Sequence, residues 1–246
     1  MRAHFLAGFL ILIGVSGACG QSAPAFDVVS IKPSPQGLPG VNAGMRTDAT
    51  HFIALWLPIR TLIMGAYDME FWKISGAPDW TMADGYDITA TMPPGLPKAQ
   101  IEAMLQTLLA DRCKLVVHRE TKDTAIYALV AAKGGSKLKP SPEGQFGIRR
   151  GRGHLELRHV SMKTFTRYLG DATEGGEMDR PVVDMTGIEG LYDITLDWTP
   201  DNGPRGVDGG PSILTAVQEQ WGLKLEPRKA PVEFIVIDHI ERPSEN

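Results

Sequence analysis

The sequence has few cysteines and no surplus of basic residues. Only Cys19 and Cys113 occur among 246 residues, so no framework of disulfides can be drawn and the fold must be held by its apolar core. The formal net charge is −4 at pH 7, whereas proteins that bind nucleic acids usually carry a clear excess of Lys and Arg. We therefore predict no nucleic-acid partner.

Long apolar runs are also absent after the N-terminus. The stretch from Phe5 to Val15 is apolar but shorter than the roughly 20 residues that a membrane-spanning helix needs. It follows Met1-Arg2 and precedes the small residues "SGACGQSA", an order typical of an export signal. We predict that residues 1–20 are a signal peptide, and that the mature chain is extracytoplasmic (periplasmic, cell-surface or secreted) with no membrane span.

The cleavage site allows two forms of the mature chain. Ser16-Gly17-Ala18-Cys19 is similar to a bacterial lipoprotein site, which would make Cys19 the lipidated residue, although Ser16 stands where an aliphatic residue is expected. Ordinary cleavage near 19–21 is the alternative. In either form Cys113 is the internal thiol.

Recognised catalytic and cofactor motifs are missing. The chain contains no G-x-S-x-G elbow, no Walker loop and no dinucleotide fingerprint, so we predict no cofactor and assign no catalytic residue. A thiol enzyme using Cys113 and His118 is the alternative, because Arg112 and Lys114 could lower the pKa of a thiol between them. Against it, positions five apart on a strand lie on opposite faces.

The histidines do not form a metal-ligand pattern. His154 and Glu156 share one strand face, while His159 points to the other. A zinc site needs three or four convergent ligands. We therefore predict no metal site.

One tetrapeptide, Tyr-Asp-Ile-Thr, occurs twice, at Tyr86–Thr89 and Tyr192–Thr195. Residues 44–67 also align with 147–170 without a gap, which predicts an internal repeat. In both copies the strand alternates apolar and polar residues, as a half-buried strand does. The tetrapeptide is thus predicted to be part of the framework and not an active site.

The elements around these copies predict an α+β fold of two tandem β-α-β-β-α-β-β units. Each unit would pack two helices on small mixed sheets and fill its own interior. The first unit comprises residues 26–132 with a leading strand, 133–147 form a linker, and 148–246 form the second unit. Each unit is predicted to end in a hairpin, Lys114–Glu120 with Ala125–Ala131 in the first and Leu223–Glu226 with Val232–Ile240 in the second.

Two groups of residues are candidates for binding. Trp72, Asp79 and Trp80 flank a Gly/Pro loop in which the tryptophans could be exposed. Arg149, Arg150 and Arg152 form a basic run that could meet an anionic surface, although such a run is more often a solvated loop and edge strand.

The sequence resembles a soil-associated exported family of acidobacteria, a domain of unknown function. The strings that carry the resemblance are "FDVVSIKPS", "YDITATMP", "RPVVDMTGIEGLYDITLDWTP" and "APVEFIVIDHIERPSEN". The second unit is also similar to the short N-terminal domain of secretins and TonB-dependent receptors, which serves protein contacts in the periplasm. These resemblances imply an exported protein but supply no catalytic residues.

These observations favour a non-enzymatic protein-binding or scaffold protein of the cell envelope, whose partner is another envelope or secreted protein. The alternatives are a small thiol-dependent hydrolase and a carbohydrate- or peptide-binding module.

Overall fold

The computed structural model describes residues 23–35, 43–171, 178–200 and 210–244. The predicted signal peptide and Cys19 lie outside these residues. The described chain is an α+β protein, as the sequence predicts. None of its helices is sufficiently long and apolar to cross a membrane.

The two halves of the chain share one order of strands and long helices, to which the first half adds a leading strand, a 3-10 turn and a short helix. The first half contains β1 (Val28–Pro33), β2 (Gly44–Thr47), β3 (His51–Pro58), α1 (Ile59–Tyr67), a 3-10 turn (Phe71–Lys73), β4 (Ile74–Ser75), α2 (Trp80–Ala83), β5 (Gly85–Thr91), α3 (Lys98–Cys113) and β6 (Val116–Ala131). The second half contains β7 (Gly147–Gly151), β8 (His154–Val160), α4 (Met162–Asp171), β9 (Val182–Asp184), β10 (Tyr192–Asp197), α5 (Ile213–Trp221) and β11 (Leu223–His239).

Each half has its own antiparallel sheet. The first is ordered β1-β5-β3-β2 and the second β10-β8-β7. The strands β5-β3-β2 and β10-β8-β7 therefore occupy matching places. The leading strand β1 extends the first sheet by pairing with β5 along its length.

The two hairpin predictions are wrong. β6 and β11 are uninterrupted strands that pair antiparallel with each other, from Leu223 opposite Ala131 to His239 opposite Val116. Short β4 then adds in parallel to β11, and β9 adds in parallel to β6, giving the order β4-β11-β6-β9. Each half thus contributes its last strand to a central sheet shared with the other half. The polar and proline-containing segments that indicated turns stay extended because a partner strand lies beside them.

The hydrophobic cores also cross between the halves, contrary to the prediction that each unit fills its own interior. The first core cluster takes Ile235 and Ile237 from β11. The second cluster takes Leu129 from β6, with Tyr127 packed against it. Side chains on alternate positions of a strand reach opposite faces, so a shared sheet brings residues of one half into the core of the other.

The aspartates of the two Tyr-Asp-Ile-Thr copies have the same structural role. Asp87 accepts a hydrogen bond from the hydroxyl of Ser34 (2.6 Å) and one from the amide of Trp56 (2.9 Å). Asp193 accepts the corresponding bonds from Ser141 (2.6 Å) and from the amide of His159 (2.9 Å). Both amides belong to residues with positive φ, 49° at Trp56 and 56° at His159. Each aspartate therefore fixes an irregular point of the neighbouring strand, which is a framework role.

We expect the substitution Asp87→Ala to destabilise the protein by about 1–3 kcal/mol, because it leaves the Trp56 amide and the Ser34 hydroxyl without their acceptor. Urea unfolding of the two proteins measures the difference. Thr89→Ala, on the same strand but exposed, is the control and should change the unfolding free energy by about 0.5 kcal/mol or less. Equal effects of the two substitutions would contradict the framework role.

Candidate functional site

A groove runs along the boundary between the halves, where α1 of the first half approaches α4 of the second. It consists of two cavities of about 360 Å³ and 570 Å³. Met64 and Arg167 line both cavities, so the two are neighbouring parts of one groove. Each volume lies in the range of about 300–1,000 Å³ that small-molecule sites occupy.

The smaller cavity has aromatic and aliphatic walls. The residues that line it include Phe71 and Trp72 of the first half and Met178, Pro181 and Val182 of the second half. The 3-10 turn that carries the aromatic residues is held by Arg60, which donates to the Ile74 carbonyl (2.7 Å) and lies 3.9 Å from the centre of the Phe71 ring. The wall is thus anchored from α1.

The charged residues of the smaller cavity are mostly paired. Glu70 is buried, with 7% of its surface exposed, and forms an ion pair with Lys73 at 2.7 Å. Arg180 binds Asp179 at 2.9 Å and lies over the Tyr127 ring. Hydrogen bonding and attraction from Asp179 raise the pKa of Arg180, so this pair stays charged.

The larger cavity has an apolar floor between β2, α1 and α3. Its apolar lining consists of Met45, Phe52, Met64, Leu96, Ile101 and Leu105. Its two acids are neutralised by two lysines, because Lys98 pairs with Glu102 (3.1 Å) and with Asp68 (3.4 Å), and Lys163 of α4 also pairs with Asp68. Gly65 leaves room in the helix beside this floor, because a Cβ at this position would meet only the end of the Met45 side chain, at 3.2 Å.

Two arginines of the larger cavity lack a partner among the described residues. The side chains of Arg46, on β2, and Arg167, on α4, form no hydrogen bond or ion pair with the described residues, and Nε of Arg167 is buried. A guanidinium carries a permanent charge and binds carboxylates and phosphates through paired hydrogen bonds. The groove therefore combines an apolar floor with positive charge that the described acids do not neutralise.

An ion pair beside the larger cavity joins the halves. Lys163 of α4 binds the carboxylate of Asp68 and also donates to its carbonyl oxygen (3.2 Å). Burial alone would raise the pKa of Asp68, but the bonds and charges of Lys163 and Lys98 outweigh burial and lower that pKa. The carboxylate therefore stays ionised to lower pH than in the unfolded chain.

We expect Asp68→Asn to destabilise the protein at pH 7, and we expect this effect to shrink progressively as the pH falls below the unfolded-state pKa of about 3.9. A lowered pKa in the folded state contributes stability above the unfolded-state value, about 3.9 for Asp, and that stability is lost as pH falls through the folded-state value. Urea unfolding of both proteins between pH 2.5 and 7, in steps of roughly half a unit, tests this. Asn tolerates the left-handed conformation at this position, where φ is 49°. A constant difference across the pH range would contradict the ion-pair explanation.

The structure separates the predicted residues Trp72, Asp79 and Trp80. Trp72 lines the smaller cavity and packs edge-on against Phe234, with ring centres 5.7 Å apart. Trp80 is half-buried against the first core, with Arg242 over its ring at 5.2 Å. Asp79 is exposed at the start of α2 and its side chain forms no cap. The two tryptophans are thus packed and not freely exposed, because Trp80 lies against the first core and Trp72 lies against a separate apolar cluster on β6 and β11.

The basic run does not join the groove. Arg149 lies 3.5 Å from Glu156 on the neighbouring strand, and Arg150 lies over the Tyr168 ring at 4.6 Å. Arg152 is exposed in the turn after β7 and also has an interaction partner. These contacts fit an edge strand with local pairing.

The geometry argues against Cys113 as a nucleophile. Its thiol is 1% exposed within the first core, and burial raises its pKa to about 12. His118 instead binds Asp238 across the central sheet, at 2.9 Å. A thiol with this pKa is protonated at neutral pH and reacts slowly.

We expect Cys113 to resist a thiol reagent in the native protein and to react fully after unfolding. The measurement is the rate of labelling by a disulfide reagent at pH 8, with and without urea, in a protein that starts at residue 23 and so lacks Cys19. The rate should rise at least about a hundredfold on unfolding, because the thiol becomes exposed and its pKa returns to about 8.5. Rapid native labelling would contradict this and revive the thiol hypothesis.

The described residues contain no cluster of three or more potential metal ligands. His154 pairs with Asp197 (2.6 Å) and Glu156 pairs with Arg158 (2.6 Å). His154 and Glu156, which were predicted to share a strand face, thus each bind a different residue.

Sequence reasoning missed most of the groove. Its central residues, Met64 and Arg167, lie on helices of different halves, and no local motif marks them. The available signal was the gap-free alignment of 44–67 with 147–170, which predicts that α1 and α4 are equivalent helices but not that they face each other.

Fold and groove define an α+β protein with a central sheet shared by two halves and an amphipathic groove between them. The chain belongs to the family described as "Protein of unknown function (DUF3738)", whose family model matches residues 60–240. No curated protein and no solved structure matches the chain.

Proposed function

We propose that this protein is an exported, non-enzymatic binding protein of the cell envelope, and that the groove between its halves is the binding site. The single observation that carries the proposal is the groove itself, whose two cavities share Met64 and Arg167. Pockets of this size, mostly apolar with a few oriented polar groups, are the usual form of ligand sites.

The matching architecture of the halves supports this proposal. Both halves share one order of strands and long helices and the same aspartate-centred contacts, as expected if one unit was duplicated. A groove at the boundary of two duplicated units is a favourable place for a ligand, because sites occur preferentially between packed substructures. The similarity of the second half to the short N-terminal domain of secretins is part of the same proposal, and implies an envelope or secreted protein as partner.

Export is tested independently of binding. Residues 1–30 fused to a reporter that is active only outside the cytoplasm should give reporter activity, because residues 1–20 have the order of an export signal. The intact mass of the mature protein then distinguishes lipidation of Cys19 from ordinary cleavage. An unprocessed, cytoplasmic protein would refute the proposed location.

The binding site is tested with the substitution Gly65→Leu, which places a side chain in the larger cavity against the movable end of Met45. Leu favours a helix more than Gly does, so folding should be retained. Ala110→Leu, at an exposed position of α3, is the matched control. Ligands found by thermal shift should stabilise the wild-type and control proteins but not the Gly65→Leu protein. Equal stabilisation of all three proteins would place binding elsewhere.

A further inference from the structure

We infer that the groove binds an aliphatic chain that ends in a carboxylate or a phosphate, an inference that rests on the proposed function. The acyl or alkyl chain would lie on the apolar floor of the larger cavity, and the anionic end would meet Arg167. Arg46 also lines the larger cavity and adds a second positive charge.

The floor favours an aliphatic chain over a sugar or a peptide backbone. The apolar lining residues offer aliphatic, thioether and phenyl groups, none of which is a strong hydrogen-bonding group. A sugar or a peptide segment placed there would bury hydroxyl, N–H or C=O groups without partners, which is costly. An alkyl chain has no such groups, and the flexible side chains of Met45 and Met64 can adapt to its shape.

The charge favours an anionic end group. The acids of the larger cavity are occupied by lysines, since Lys98 binds both Asp68 and Glu102 and Lys163 binds Asp68. Arg167 remains, at the junction of the two cavities, with a buried Nε that has no partner among the described residues. A bound anion would satisfy this guanidinium by a charge-assisted hydrogen bond, the stronger kind of hydrogen bond.

The experiment uses the mature protein and four probes, each kept below its solubility limit and, for the ionic probes, below the critical micelle concentration. Dodecanoate and dodecyl phosphate carry the two anionic ends, dodecanol is the uncharged analogue, and hexanoate is a short carboxylate. Isothermal titration calorimetry measures each affinity. We expect at least about tenfold tighter binding of an anionic probe than of dodecanol, because hydrogen bonds to charged groups are worth about 1.5–3 kcal/mol, and a tenfold change in affinity is 1.4 kcal/mol. The relative affinities of dodecanoate and dodecyl phosphate decide which end group is preferred.

Chain length tests the apolar floor. Each added methylene should strengthen binding about threefold to fourfold until the floor is covered, since a buried methylene is worth about 0.8 kcal/mol. Dodecanoate should therefore bind much more tightly than hexanoate. Equal affinities would overturn the placement of the chain on the floor.

Arg167→Gln tests the anionic contact. This substitution should weaken dodecanoate or dodecyl phosphate binding at least about tenfold and leave dodecanol binding unchanged. Arg228→Gln removes the same charge from an exposed position outside the groove and should leave all affinities unchanged. Urea unfolding of both variants shows whether each retains its fold.

The outcomes separate this inference from the proposed function. If dodecanol binds as well as the anionic probes, or if Arg167→Gln has no effect, the anionic ligand class is wrong while the groove can still be the binding site. If the probes bind the Gly65→Leu protein as well as the wild type, both this inference and the groove as binding site are refuted.

Discussion

Cutting the chain between Gly134 and Gly135 should yield two fragments that do not fold separately but assemble when they are co-expressed. Each fragment alone lacks the partner of its longest strand, because β6 pairs with β11 along its whole length. An unpaired strand of this kind leaves a row of backbone N–H and C=O groups without partners and exposes apolar side chains. Circular dichroism and thermal unfolding of each fragment, alone and mixed, measure the effect.

A single substitution in the intact chain tests whether the core of the first half depends on β11. Ile235→Ala should destabilise the protein by about 2–5 kcal/mol, the usual cost of removing most of a buried aliphatic side chain. Ile235 belongs to β11 yet is fully buried in the core of the first half. Val236→Ala, at the neighbouring half-buried position, should cost about 1 kcal/mol. Independent cooperative folding of either fragment, or equal costs for the two substitutions, would contradict the shared sheet.

We expect Gly76→Ala to lower the free energy of unfolding by more than about 3 kcal/mol, a large effect for the addition of one methyl group. Gly76 has φ of 76°, and a Cβ there would lie 2.6 Å from the carbonyl oxygen of Ile237. Since that oxygen belongs to the backbone of β11, the methyl group can be accommodated only by moving β4 away from the central sheet. The unfolding free energy in urea measures the cost.

Gly95→Ala is the matched control for Gly76→Ala. Gly95 also has φ of 76°, but no atom of the described residues would lie within 4 Å of its Cβ. This substitution therefore reports the conformational strain alone, about 1 kcal/mol for a non-glycine residue in the left-handed region. The difference between the two variants measures the close approach of Gly76 to β11. Similar costs for both would show that β4 is not held against β11 as the structure has it.

Elements with a strong local signal could be predicted from the sequence. The periodic apolar residues of α3, with Pro97 just before its first residue, give a helix over Lys98–Cys113. The alternation of apolar and polar residues around Tyr86 and Tyr192 predicts β5 and β10. Ser161 accepts a hydrogen bond from the Thr164 amide at the start of α4, as an N-cap residue does. These features depend on residues within one or two turns of each other, which is why sequence patterns reveal them.

The candidate site was predicted only in part. Trp72 was a candidate from its place beside a Gly/Pro loop, and it does line the groove. Arg167 was not a candidate, because an arginine on a predicted helix usually faces solvent and nothing nearby in the sequence marks it. The long pairing of β6 with β11 was missed for a similar reason, since each segment contains residues that locally favour a turn.

The sequence by itself determined the α+β class, the main helices and the role of the Tyr-Asp-Ile-Thr strands as framework. These features follow from the propensities and the apolar patterns of residues that are close in sequence, so they can be predicted without knowing which distant residues they contact. The tertiary structure alone decided that the last strand of each half completes the other half's core, and that α1 and α4 enclose a groove lined by an arginine without a partner in the described part of the chain. Those arrangements depend on contacts between residues about 100 positions apart, where the gain from hydrogen bonding and burial along a long strand pair outweighs the local preference for a turn.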